Sequence, residues 1–380
     1  MWKIGRNVLI LGTKGCMQTV SGHYTSLTLV LRRYLFNAQT LDLDSFNLER
    51  MKEKKNSYHK KGQLLNRLGA QVNHGQYILT EDLAALLYLT EPDDDFDLVL
   101  KVVQRYQEFQ EKAKLKIRFP LGIKMLQMLY IVEKEDLALK WFLNDKNTVN
   151  PMCRSRKCFL IMMDMLFECG LYEEVVNLIL TCENFLDKKY PELMLLALAA
   201  LYKMNTKESF QQMLTLVSEL SKDSVQLTDR CALMCCMLAY QQGEIEVMLE
   251  MIKLPIFTVK QESFYTSHII NVKILAYIRL GRIEEAVGMV ESIFGMYKNA
   301  FPVIFDDVIN ELTTQTKLAG NKLLDRKCAE ITRSLKASGY AMKITTEQYL
   351  FNNISVKEYD FLCNNDIRES NILKVNDFKN

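Results

Sequence analysis

The sequence predicts an all-α protein, a right-handed superhelical solenoid of helix–turn–helix repeats. Only 15 of its 380 residues are glycine and 6 are proline, too few to punctuate the turns of a β-sandwich or barrel. Leu, Met, Lys, Glu, Ala and Gln, which favour helices, are abundant instead. From Thr80 onward, helical apolar runs come in pairs separated by short breaks. With 49% hydrophobic residues and a net charge of +2, a disordered chain and a globally basic nucleic-acid binder are both excluded.

The paired runs recur at a nearly constant spacing. We predict the helical pairs 80–90 with 96–114, 120–132 with 135–146, 155–169 with 172–184, 191–203 with 207–222, 227–241 with 244–253, 264–279 with 282–298, and 302–318 with 321–338. From the second pair on, the pairs begin near residues 120, 155, 191, 227, 264 and 302, at intervals of 35 to 38 residues. A helical hairpin repeated at this period is typical of a solenoid, in which each hairpin buries its apolar face against its neighbours.

The amino-terminal residues have a different composition. The first acidic residue is Asp42, and five basic residues precede it, among them Arg32 and Arg33 before Tyr34 and Leu35. A basic, hydroxyl-rich stretch without acids is typical of a mitochondrial transit peptide, which we assign to residues 1–34. Its removal would leave 43 basic and 46 acidic residues, so any grip on RNA must come from local basic groups.

The remaining chain divides into four further segments. Residues 35–78 are predicted to form a basic amino-terminal arm, and 79–300 the hairpin repeats. Residues 301–345 are predicted to form a carboxy-terminal helical cap, and 346–380, rich in Asn and charged residues, a loosely ordered tail.

Two hairpins share a distinctive turn. Gly170 and Gly281 each end a first helix, and each is followed by two residues and then a Glu-Glu pair that opens the second helix. Glycine accepts the left-handed conformation that ends a helix, and acidic residues suit the positive end of the next helix dipole. We therefore predict that Gly170→Val destabilises the fold by about 1 kcal/mol or more.

These hairpins resemble the pentatricopeptide repeat. Four segments resemble the mitochondrial pentatricopeptide repeat-containing protein 2 family in their order and spacing: 33–35, 79–87 leading into 103–106, 163–172, and 202–210. The resemblance implies a pentatricopeptide-like solenoid in the mitochondrial matrix. It further implies a role in maturation of mitochondrial RNA, affecting cytochrome b transcripts and respiratory-chain function.

Repeats of this kind read single-stranded bases through polar residues of the first helices. Ten residues before each turn stand Leu160, Leu195, Leu233 and Asn271, so only Asn271 could discriminate a base edge, and a role as a solvated helix residue stays open. The candidate phosphate-binding residues are Arg154, Arg156, Lys157, Lys188 and Lys189. Charge reversal at the first three is expected to weaken RNA binding without unfolding the chain. A further basic group lies at Arg326, Lys327, Arg333 and Lys336; ordinary solvated surface is the alternative for each group.

Motifs for catalysis or metal binding are absent from the sequence. It contains four histidines and neither an HExxH nor a Gly-x-Ser-x-Gly motif. Cys231, Cys235 and Cys236 lie on one predicted helix and are expected to pack in the core. Asp93, Asp94 and Asp95 are expected to cap the helix that starts near Phe96.

The sequence therefore predicts no enzymatic activity, no cofactor, no small-molecule substrate and no membrane insertion. Expected partners are single-stranded mitochondrial RNA and mitochondrial RNA-processing or ribosomal proteins. The alternative is a helical-repeat scaffold for protein interactions, for example a mitoribosome-associated or assembly factor.

Overall fold

A computed structural model describes most of the chain. The described residues are 35–112, 119–143, 148–182, 190–223, 225, 227–257, 262–296 and 303–352. The predicted transit peptide, Lys188, Lys189 and residues 353–380 lie outside them.

The described chain is a series of α-helices. They are α1 Leu43–Ser57, α2 Lys61–Asn73, α3 Thr80–Leu89, α4 Phe96–Lys112, α5 Leu121–Ile131, α6 Glu135–Phe142, α7 Arg156–Glu168, α8 Tyr172–Cys182, α9 Pro191–Met204, α10 Lys207–Lys222, α11 Asp229–Gln241, α12 Ile245–Met251, α13 Glu262–Arg279, α14 Ile283–Met296, α15 Asp306–Leu318, α16 Lys322–Ala337 and α17 Thr346–Leu350. The helices from α3 to α16 form hairpins, which confirms the predicted fold of helical repeats.

Successive hairpins stack through their first helices. Helices α3, α5, α7, α9, α11, α13 and α15 each pack on the next in this order, and we call the row they form the first-helix layer. Several second helices, such as α6, α8 and α12, also pack against the first helix of the following hairpin. Helices α7, α9 and α11 are apolar nearly all round and almost wholly buried, as expected for an inner layer.

The hairpin turns follow from local sequence. Six turn residues adopt positive φ: Glu133, Gly170, Asn205, Gly243, Gly281 and Gly320. They lie 35 to 39 residues apart, and each ends a first helix. Several helices then begin at hydroxyl caps, as where Thr206 and Ser209 form a reciprocal capping box at the start of α10.

Residues at both ends of the described chain pack on the first-helix layer. Helix α1 packs against α3 and α5, and Leu43, Phe46 and Leu68 of the predicted basic arm join the core. At the other end, residues 340–352 run back along the layer, and we call this segment the strap. Its α17 corrects the expectation of a loosely ordered tail for residues 346–352, because Leu350 and Phe351 are buried and hold the segment to the core.

Candidate nucleic-acid interface

The predicted basic cluster at the start of α7 divides between surface and structure. Arg154 is exposed, and its Nε donates to the Val149 carbonyl at 3.3 Å. Arg156 Nε lies 3.2 Å from Oε1 of Glu192, whose side chain is fully buried. Lys157 Nζ donates to the Thr40 carbonyl at 2.6 Å. The cluster is therefore not a uniform phosphate-binding surface, because Arg156 and Lys157 join α7 to neighbouring segments.

Asn271 does not face solvent or a ligand in this structure. Its side chain is 1% exposed; Nδ2 donates to the Val303 carbonyl at 2.7 Å, and Oδ1 accepts from the Phe305 amide at 3.0 Å. Both groups that could read a base edge are used to hold the chain that leads into α15. This corrects the expectations that Asn271 reads a base or is solvated. The leucines at the equivalent position, Leu160, Leu195 and Leu233, are buried as well.

An aromatic residue recurs at one position of four successive hairpins. Three residues before each of the turn residues Glu133, Gly170, Asn205 and Gly243, the chain carries Tyr130, Phe167, Tyr202 and Tyr240. We call these four side chains the aromatic row. The sequence signal was available once the turns were aligned, but Tyr202 had been expected to be a core residue only.

The aromatic row links successive first helices. The Tyr130 hydroxyl donates to Asp164 Oδ2 of the next first helix at 2.8 Å, and Gln241 of α11 donates to the Tyr202 hydroxyl at 3.2 Å. The guanidinium of Arg279 lies 4.6 Å from the ring centroid of Tyr240. Tyr130 and Tyr240 are half-buried, so the row borders the surface at its two ends.

The strap covers the middle of the aromatic row. The ring of Phe351 lies between those of Phe167 and Tyr202, with centroid distances of 6.1 and 5.6 Å. Lys203 Nζ lies 4.0 Å from the centroid of the Phe351 ring. The neighbouring strap residue Tyr349 contacts the ring of His268, and Arg230 stacks on Tyr349 at 5.2 Å. Cations and rings thus alternate along this part of the first-helix layer.

A second basic surface lies on α16. Lys322, Arg326, Arg333 and Lys336 are exposed. At 3.6 residues per turn they fall within about 80° of one another, along roughly 21 Å of helix. A stripe of exposed cations on one helix face suits the evenly spaced charges of a nucleic-acid backbone. Three of the four were noted from the sequence, but only the helix bounds show that Lys322 completes the stripe.

Other polar clusters have structural roles. Asp95 Oδ1 accepts from the amides of Asp97 and Leu98 at 3.0 and 3.3 Å, which confirms the predicted cap on α4. Cys231, Cys235 and Cys236 are buried free thiols, as expected, and burial raises the pKa of Cys231 to about 11.

Two further searches of the described residues gave no candidates. Among them, no group of three or more His, Cys, Asp or Glu side chains could hold a metal ion. Within the same residues, every helix is too short or too polar to cross a bilayer.

Comparison with known proteins gives relatives that share one name. No family model matches the chain. It is 25% identical over 245 residues to "Pentatricopeptide repeat-containing protein 2, mitochondrial" of Xenopus laevis, covering 64% of this chain and 63% of the relative. The protein of the same name from Mus musculus is 29% identical over 192 residues, or 50% of each chain, and that from Homo sapiens 26% identical over 214 residues.

The chain therefore spans between one half and two thirds of the length of these relatives. The similarities confirm the resemblance that the sequence indicated: this chain is a helical-repeat protein similar to mitochondrial pentatricopeptide repeat-containing protein 2.

Proposed function

We propose that this protein is a non-catalytic RNA-binding factor of the mitochondrial matrix that assists the maturation of mitochondrial transcripts. The observation that carries the proposal is the aromatic row, which places one ring at the same position of four successive hairpins beside cations such as Lys203 and Arg279. Aromatic rings at regular intervals stack the bases of a single strand, while neighbouring cations hold its phosphates. The relatives named as mitochondrial pentatricopeptide repeat proteins support this function and its location.

The finer parts of the proposal rest on family resemblance. The target transcript would be the cytochrome b messenger, and its maturation would affect the respiratory chain. Mitochondrial RNA-processing or ribosomal proteins would act with the bound RNA, because the proposed protein holds RNA without cleaving it. No small-molecule substrate or cofactor takes part.

The experiment is ultraviolet crosslinking in intact mitochondria, followed by sequencing of the RNA that co-purifies with the protein. We expect enrichment of one or a few mitochondrial transcripts over an unrelated matrix protein of similar abundance. Equal recovery of all transcripts by both proteins would contradict RNA binding as the function.

The α16 stripe gives a matched test in vitro. Replacing Arg326 and Arg333 by Ala should lower the salt dependence of binding to single-stranded RNA by about 1.4 in log–log slope, because each lost phosphate contact removes about 0.7. Arg282→Ala is the control, since Arg282 is exposed but already paired with Glu285. An unchanged slope in the double variant would exclude the stripe from the interface.

A protein-interaction scaffold is the second candidate, and one observation favours it. An apolar groove of about 510 Å³ lies between α10 and α12, lined by Leu214, Val217, Val247, Met251 and Leu254 among others. Such a groove suits an apolar peptide or helix face better than RNA. Recovery of a stoichiometric protein partner that Leu214→Glu abolishes, with RNA crosslinking at background, would favour the scaffold.

A further inference from the structure

The strap follows one path across the first-helix layer. It begins beside α15, where the amides of Val303 and Ile304 donate to the Tyr340 carbonyl at 2.8 and 3.1 Å. Thr346 then donates its amide to Asp307 at 2.9 Å. The strap therefore starts on the last first helix and runs back toward earlier ones, against the order of the hairpins.

The strap next crosses α13 and α11. The Tyr349 hydroxyl lies 3.1 Å from Nε2 of His268 on α13, and Arg230 at the start of α11 donates to the Asn352 carbonyl at 2.8 Å. Short polar contacts, each to a different hairpin, thus hold the strap in register with the repeats. A segment held in this way is seated as a ligand would be, one contact per repeat.

Phe351 ends this path in a slot between α7 and α9. The ring of Phe167 lies nearly parallel to it, with 17° between the planes, and the ring of Tyr202 contacts it at 41°. Lys203 Nζ lies over the Phe351 ring and also 2.6 Å from Oε1 of Glu347. The slot is bounded by aromatic rings of adjacent hairpins and carries a cation whose partners both come from the strap.

This geometry suits a planar, negatively charged ligand better than a phenyl ring alone. A nucleobase stacks between aromatic rings regardless of its sequence, and the phosphate that accompanies it is a natural partner for Lys203 once Glu347 has left. Phe351 and Glu347 together present a ring and a negative charge to the slot, as a nucleotide does.

We propose that the slot formed by Phe167, Tyr202 and Lys203 binds one base and phosphate of single-stranded RNA, and that Phe351 and Glu347 of the strap occupy it in the free protein. The inference rests on the proposed RNA-binding function and adds its regulation. RNA and strap compete for the slot, so the apparent dissociation constant equals the intrinsic one divided by the fraction of molecules with the strap released.

The test uses the full chain and a fluorescein-labelled oligoadenylate of twelve nucleotides. Phe351→Ala removes the competing ring and should lower the apparent dissociation constant by about tenfold, since it raises the released fraction. Glu347→Lys, at a half-exposed side chain, should act in the same direction without emptying a buried site. Tyr58→Ala is the control, because Tyr58 is an exposed aromatic residue remote in sequence from the strap. Adding Tyr202→Ala to Phe351→Ala should abolish the gain, because the released slot then lacks a stacking ring.

A second measurement follows the strap itself. A carbodiimide joins ion-paired amines and carboxylates directly, so Lys203 and Glu347 should form a crosslink that mass spectrometry detects. Saturating oligoadenylate should reduce the yield of this crosslink in the wild-type protein.

The outcomes separate the two proposals. Equal affinity of the wild type, Phe351→Ala and Glu347→Lys, with a crosslink that RNA leaves unchanged, would overturn strap competition and leave RNA binding elsewhere on the protein. Absence of binding in all variants, including those with the strap released, would overturn both proposals.

Discussion

Phe351 stacks on Phe167 with 17° between the ring planes and 6.1 Å between the centroids, although the two residues lie near opposite ends of the repeat array in sequence. A similar closure occurs at the other end of the layer. Gln127 of α5 donates to the Leu41 carbonyl at 3.2 Å, and Lys157 of α7 donates to the Thr40 carbonyl. Both ends of the described chain thus lie on the first-helix layer, and a ligand that binds there must compete with them.

Arg156→Gln should lower the free energy of unfolding by about 2 kcal/mol. The change leaves the fully buried Glu192 carboxylate without the guanidinium that lies 3.2 Å from it. Breaking a wholly buried pair costs roughly 3–5 kcal/mol, and Arg156 is one-third exposed, which reduces the loss. Urea denaturation measures the change.

Arg154→Gln is its control, because Arg154 is exposed and such substitutions usually change stability by less than about 0.5 kcal/mol. Equal stability of the two variants would show that the pair with Glu192 contributes nothing. The expectation that charge reversal at Arg154, Arg156 and Lys157 spares the fold is accordingly withdrawn for Arg156.

Asn271→Ala should destabilise the protein by about 3 kcal/mol. The substitution leaves the Val303 carbonyl and the Phe305 amide without their partner at a buried site, and each lost partner costs about 1–3 kcal/mol. Thermal unfolding followed by circular dichroism measures the loss. Asn310→Ala is the control, since exposed Asn310 bonds only to Asp306 within α15; a similar fall in melting temperature for both variants would contradict the structural role of Asn271.

The sequence was sufficient to predict the helices, because apolar periodicity, glycine and hydroxyl caps are local signals. Predicted and observed bounds of α9 and α10 differ by at most one residue. Roles that depend on contacts distant in sequence were not predictable. Nothing near Asn271 indicates that the chain entering α15 folds over it, and nothing in residues 346–352 names the slot that Phe351 fills. A polar tail without a repeat of its own reads as loosely ordered until its contacts are known.

Gly170→Ala should cost about 1 kcal/mol through backbone conformation alone. Gly170 has φ of +76°, and a Cβ at this position would meet no heavy atom within 4 Å, so packing does not contribute and the left-handed conformation does. Gly288→Ala is a matched control, because Gly288 lies inside α14 with the same open surroundings. There alanine should stabilise by about 0.5–1 kcal/mol. Chemical denaturation of both variants should therefore give shifts of opposite sign, and shifts of equal sign would contradict the conformational argument.

His268 should make the protein less stable as the pH falls from about 6.5 toward 4. Burial, followed by the charge of Arg230, lowers the pKa of His268 to about 4, whereas an unfolded histidine titrates near 6.5. Between these values the unfolded chain binds the proton and the folded chain does not, so acid favours unfolding and the penalty vanishes above pH 7. At pH 5 this difference amounts to about 2 kcal/mol. His268→Gln keeps a polar group beside the Tyr349 hydroxyl but cannot titrate. The free energy of unfolding in urea should thus fall by about 2 kcal/mol more for the wild type than for His268→Gln between pH 7.5 and 5, and parallel pH profiles for the two proteins would show that His268 titrates normally.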